Sequence, residues 1–72
     1  RSEVVSDIYN TTNHLYAMQL LNEYSVEYIV VGGLEKAYYS AEGLDKFSGM
    51  VSREFLTLPY DSNHVQIYQI FR

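Results

Sequence analysis

The sequence predicts a small α/β (α+β) domain: a three-stranded mixed sheet packed by helices, in the order α-α-β-α-α-β-β. Three observations carry that expectation. Residues 13 to 24 repeat apolar side chains at a helical period. "VEYIVVG" has five β-branched or aromatic residues among its first six. "EFLTLPY" and "HVQIYQIF" are two strand-like runs joined by "DSN", three turn-forming residues.

The 72 residues make one domain, 1 to 72, with one core. A domain this small buries only roughly 60% of the surface its unfolded chain exposes. The chain has no Cys, hence no disulfide and no thiolate metal site. Further burial must then come from self-association or from docking on something larger. Because the sequence starts on Arg1 rather than Met, it is expected to be a soluble piece of a longer protein.

In "SEVVSDIYN", Val4, Val5, Ile8 and Tyr9 form a helical stripe, with Ser2 as its expected cap. An extended arm would suit the β-branched residues too. Asn10, Thr11 and Thr12 all suit a helix cap, and one of them should start the second helix. That helix places Ala17, Leu20, Leu21 and Tyr24 on one face and Gln19, Asn22 and Glu23 on the other. Ser25 ends it. The strand that follows, rich in Val and Ile, reads as an interior strand covered on both faces. Gly32-Gly33 then forms a tight turn with positive φ.

Leu34 with Ala37 or Tyr38 lines a short third helix. Ser40 caps a fourth, with Leu44 and Phe47 inward, Gly43 weakening it and Gly49 ending it. Pro59 lacks an N–H and places its strand at an edge or a strand end. A strand, a helical crossover and a second strand predict a parallel pair, to which the hairpin adds an antiparallel neighbour.

The net charge is −4, and the five Lys and Arg are scattered at 1, 36, 46, 53 and 72. Without a cluster of cations, neither nucleic acid nor an anionic lipid surface is an expected partner. Eight Tyr and no Trp point to rings that roof a small core or sit at an interface.

The candidate docking or substrate edge is Gly32, Gly33, Glu35, Lys36, Tyr38 and Tyr39. The glycines lie at the end of a strand, where α/β folds bind ligands, but the dinucleotide and P-loop patterns are incomplete. Glu35 falls in the first turn of a helix, where the dipole favours a carboxylate. Tyr38 and Tyr39 point about 100° apart on a helix, so one ring can be buried and its neighbour exposed. His14 and His64 lack metal-ligand spacing, and no serine lies in a nucleophile elbow. No catalytic residue, metal or cofactor is assigned. "NTT" at 10 to 12 matches the N-glycosylation pattern, and capping explains it equally.

The run "R-x-x-x-V-x-D-I-Y-N-T-T", "A-x-x-L-L-x-x-Y-x-V-x-Y-I-V-V-G-x-L-E-K-A-Y-Y" and "G-L-D-K-F" resembles the C-terminal tail of the YYY-domain family. These are very hydrophobic multi-spanning membrane proteins of archaea and Chloroflexi-type bacteria. The likeness rests on Arg1, Asp7 and Tyr9, then on Ala17, Leu20 and Leu21. It continues with Tyr24, Val26, Tyr28, Gly32, Leu34, Glu35 and Lys36, then Tyr38 or Tyr39, and closes on Gly43, Leu44, Lys46 and Phe47. Gly33 departs from the family pattern. The resemblance implies a domain outside the bilayer, on the extracytoplasmic side, packed on the membrane part of the same protein. The family's layout is similar to that of membrane glycosyltransferases using lipid-linked sugars, which adds a glycan to the expected partners. Their catalytic carboxylate has no counterpart here. The rival reading is a free-standing regulatory module that binds a small ligand as a dimer.

Overall fold

The computed structural model describes residues 2–71. Among them the chain forms α1 (Ser2–Asn10), α2 (His14–Glu23), β1 (Tyr28–Val31), α3 (Gly33–Tyr38), α4 (Ala41–Ser52), β2 (Leu56–Asp61) and β3 (Gln66–Ile70). The α+β class and the order of elements are those expected. The side chain of Ser2, expected to cap α1, and the likeness at Arg1 fall outside what is described.

The N-cap of α2 is Asn13, whose side chain accepts from Tyr16 N at 3.0 Å. None of the three residues proposed for that role takes it, and two of them bond elsewhere. Asn10 Oδ1 accepts from Ser40 N at 2.8 Å, and Thr11 Oγ1 accepts from Asn13 N at 3.1 Å. Ser40 caps α4 as expected, accepting from Gly43 N at 3.0 Å. Gly49 does not end α4, which runs on to Ser52; the glycine leaves room for the His14 ring.

Both α2 and α4 end in a Schellman motif. Val26 N donates to Leu21 O at 2.8 Å and Ser25 N to Asn22 O at 3.2 Å. Phe55 N donates to Met50 O and Glu54 N to Val51 O, each at 2.9 Å. The left-handed position falls on Ser25 (φ 55°) and Glu54 (φ 62°), where glycine is the usual residue.

The sheet order is β1-β3-β2, and both pairings are antiparallel. The expected mixed sheet is therefore corrected. β1 and β2 do run in the same direction, as the crossover requires, but β3 inserts between them and no parallel neighbours remain. A hairpin strand can fold to either side of its partner, and this one fills the gap. β1 is consequently an edge strand, not an interior one, and only its alternate residues Ile29 and Val31 are buried. Pro59 sits in the other edge strand, where β2 shifts register between Thr57 and Tyr60.

The helices cover one face of the sheet. Phe47, Met50 and Leu21 are fully buried against Leu56, and Ile29, Val31, Tyr68 and Ile70 complete the sheet side of the core. Gly43 lets α1 and α4 touch: a Cβ there would collide with Tyr9 O and lie 2.7 Å from Asn10 Cα.

Candidate functional site

The six candidate residues occupy the corner where β1 leads into α3. Gly32 is the N-cap of α3 with φ −117° and ψ −161°, an extended conformation open to any residue. Neither glycine has positive φ, which corrects the expected turn. A Cβ on Gly33 would meet nothing, and one on Gly32 would make ordinary contacts at 3.4 and 3.5 Å. The corner is closed by Glu35 instead, whose Oε1 accepts from Gly32 N at 2.8 Å. This is one half of a capping box, the half that glycine allows. Glu35 is thus committed to the helix start, as its place in the first turn predicts.

α3 buries none of its residues. Leu34 and Tyr38 are 83% and 78% exposed, so the inward roles expected of Leu34, Ala37 or Tyr38 are not taken up. Lys36 Nζ donates weakly to His64 O at 3.4 Å and ties α3 to the β2–β3 turn. Tyr39 lies flat on Tyr9, with centroids 4.5 Å apart and planes within 10°. Tyr38 meets Tyr39 edge-on at 4.9 Å, while Tyr9 meets Phe47 edge-on at 6.1 Å. The tyrosine pair therefore divides as its spacing predicts, with Tyr39 half-buried and Tyr38 outside.

Tyr9 anchors this ladder. Its hydroxyl donates to Val30 O at 2.6 Å, on the free side of the β1 edge. Burial, then the charges of Glu35 and Tyr39, push its hydroxyl up to about 12. It stays a neutral donor through the physiological range. Tyr9 and Tyr39 stand 30 positions apart, which hides this pairing from any local reading of the sequence.

Lys46, outside the candidate edge, is legible in the sequence. It sits on the same stripe as Gly43, Phe47 and Met50, a cation on a buried helix face. Only 5% of it is exposed. Its ammonium donates to Ile8 O at 2.6 Å, Gly43 O at 2.9 Å and Tyr9 O at 3.1 Å, so its three hydrogens meet three carbonyls. Two of those belong to the last turn of α1, which has no basic residue of its own. Burial pulls the Lys46 ammonium down to about 8.

Opposite the helices, the sheet has an uncovered face. Cross-strand partners share a face, which gives two rows: Tyr28–Gln69–Thr57 and Val30–Ile67–Tyr60. Tyr28, Val30 and Tyr60 are all exposed, and neither row carries a charged side chain. Gln69 Nε2 donates to Tyr28 Oη at 3.3 Å within the first row.

No group of three His, Asp or Glu among the described residues is placed to hold a metal ion. Nor is any helix among them long and apolar enough to cross a membrane. The class defined by fold and surface is a two-layer α+β domain with a split β-α-β core and one bare sheet face. No protein-family model, curated protein or solved structure matches the chain.

Proposed function

We propose that this is a non-catalytic docking domain that packs on a larger body through its bare sheet face and the adjoining α3 edge. The body is the membrane-spanning part of the same protein, and the domain lies on the extracytoplasmic side. Both follow from the likeness to the YYY-domain family, as does a lipid-linked sugar as the substrate class of the whole protein. The observation that carries the docking reading is the uncharged pair of rows headed by Tyr28 and Val30. Such a face, rich in tyrosine and poor in charge, has the composition of an interface core. α3 supports the same reading with Leu34 and Tyr38, two large side chains left almost wholly in water.

The test uses the parent protein in its membrane. A photo-cross-linking residue replaces Tyr60 or Tyr38, and the cross-linked peptides are mapped. Adducts to segments ahead of Arg1 are the expected result. Long apolar spans should be encoded upstream. Adducts confined to other copies of this domain, or an upstream sequence without apolar spans, would overturn the proposal. The rival, a module that binds a small ligand, draws its support from a groove on the opposite, helical side of the sheet.

A further inference from the structure

A groove of about 240 Å³ lies between α4, α3 and the helix-facing side of the sheet. Its buried lining is apolar, Val31 and Leu44, with the ring of Tyr68 beside them. Its exposed rim carries Lys36 from α3 and Asp45 from α4. These two charges have no ionic partner among the described residues, although they border one groove. Lys36 has only its weak bond to His64 O.

Tyr68 supplies the second observation. It is 7% exposed, yet its hydroxyl makes no hydrogen bond to any described group. The oxygen is nevertheless not sealed away from solvent, so it opens on the groove that its residue lines. With no protein partner, this hydroxyl is free to hydrogen-bond to water or to a molecule held in the groove. Burial, then Asp61 and Asp45, push this hydroxyl up, which keeps it a neutral donor. Gln66, also in the lining, spends its amide N–H groups on Asp61 Oδ1 (3.1 Å) and Ser62 O (2.8 Å). Its side-chain oxygen remains as an acceptor.

We propose that this groove binds a free α-amino acid with an aliphatic side chain, its carboxylate on Lys36 and its ammonium on Asp45. A simple anion would meet the Asp45 carboxylate, and a simple cation would meet Lys36. A zwitterion answers both charges. The Tyr68 hydroxyl can donate to the carboxylate or accept from the ammonium. The aliphatic side chain lies on Val31 and Leu44. A volume just below the roughly 300 Å³ at which drug-sized pockets begin suits a molecule of about ten heavy atoms. Because the charged groups are rim groups open to water, affinity is expected on the order of 1 mM. This groove lies on the other side of the sheet from the rows headed by Tyr28 and Val30 and shares only α3 with the docking surface, so leucine binding and cross-linking at Tyr60 test the two readings separately.

The experiment is an NMR titration of the chain with L-leucine, N-acetyl-L-leucine and L-leucinamide at fixed ionic strength. Leucine should shift the amides of Lys36, Asp45, Ser48 and Gln66 saturably, and each analogue should bind about tenfold more weakly. Lys36→Met should make leucine and leucinamide bind alike, and Asp45→Asn should do the same for leucine and N-acetyl-leucine. Tyr68→Phe, which keeps the buried ring, should weaken leucine binding several-fold. The absence of saturable shifts up to about 50 mM leucine overturns the proposal. So does equal binding of all three compounds, or a Tyr68→Phe variant that binds as tightly as the parent.

Discussion

Gly43 and Gly33 look alike in the sequence and differ in what surrounds them. At Gly43 a methyl group would drive into the backbone of α1, at Tyr9 O and Asn10 Cα. At Gly33 it would enter open space, on a residue without positive φ. Alanine favours a helix interior by roughly 1 kcal/mol over glycine. Gly43→Ala should nonetheless lose about 2 kcal/mol, because overpacking against rigid backbone outweighs propensity. Gly33→Ala should be neutral or gain a few tenths of a kcal/mol. Urea unfolding of the two variants beside the parent checks both, and a stable Gly43→Ala would mean that α1 can move off α4 freely.

The two Schellman ends place a side chain where the left-handed backbone costs about 1 kcal/mol. Ser25→Gly and Glu54→Gly should each raise stability by about 0.5 kcal/mol, the gain being trimmed by the greater freedom of glycine in the unfolded chain. Thermal unfolding of the single and double variants measures it, and additive increments are expected for two well-separated helix ends. Elements with a strong period are legible: α2, the start of α4 and the hairpin fall where apolar spacing, the Ser40 cap and turn residues put them, while α4 runs past its expected stop. β1 was misjudged because "YIVV" is apolar at every position, a pattern shared by an interior strand and by an edge strand with a bare hydrophobic face. Strand order was not legible at all, since the crossover fixes direction and says nothing of what inserts later. In the candidate site, the capping role of Glu35 could be read locally. The stacking of Tyr39 on Tyr9 depends on how α1 meets α3, which no short window contains.

The molecule as a whole should show an alkaline optimum of stability. Lys46 holds a proton less tightly when folded (about 8) than when unfolded (10.5), so between those values the unfolded chain binds more protons. Stability then rises with pH across that window, by at most on the order of 3 kcal/mol. Tyr9 works in the opposite sense. Its hydroxyl, near 10 when unfolded, is raised to about 12 by folding, so stability falls as pH climbs above 10. Denaturant midpoints measured from pH 7 to 11 should therefore peak near pH 10. In Lys46→Met the rise should vanish while the fall remains, and the variant should lose about 1–3 kcal/mol at neutral pH through its stranded carbonyls. A midpoint that declines steadily from pH 8 in the parent would contradict this account. The placement of β3 has one more consequence, for the order in which the chain assembles. Both other strands depend on it for every ladder bond, and ribosomes deliver it after them. Until Gln66–Ile70 emerges, the growing polypeptide owns helices and two strands with nothing to pair with, so the sheet is won in a single late event.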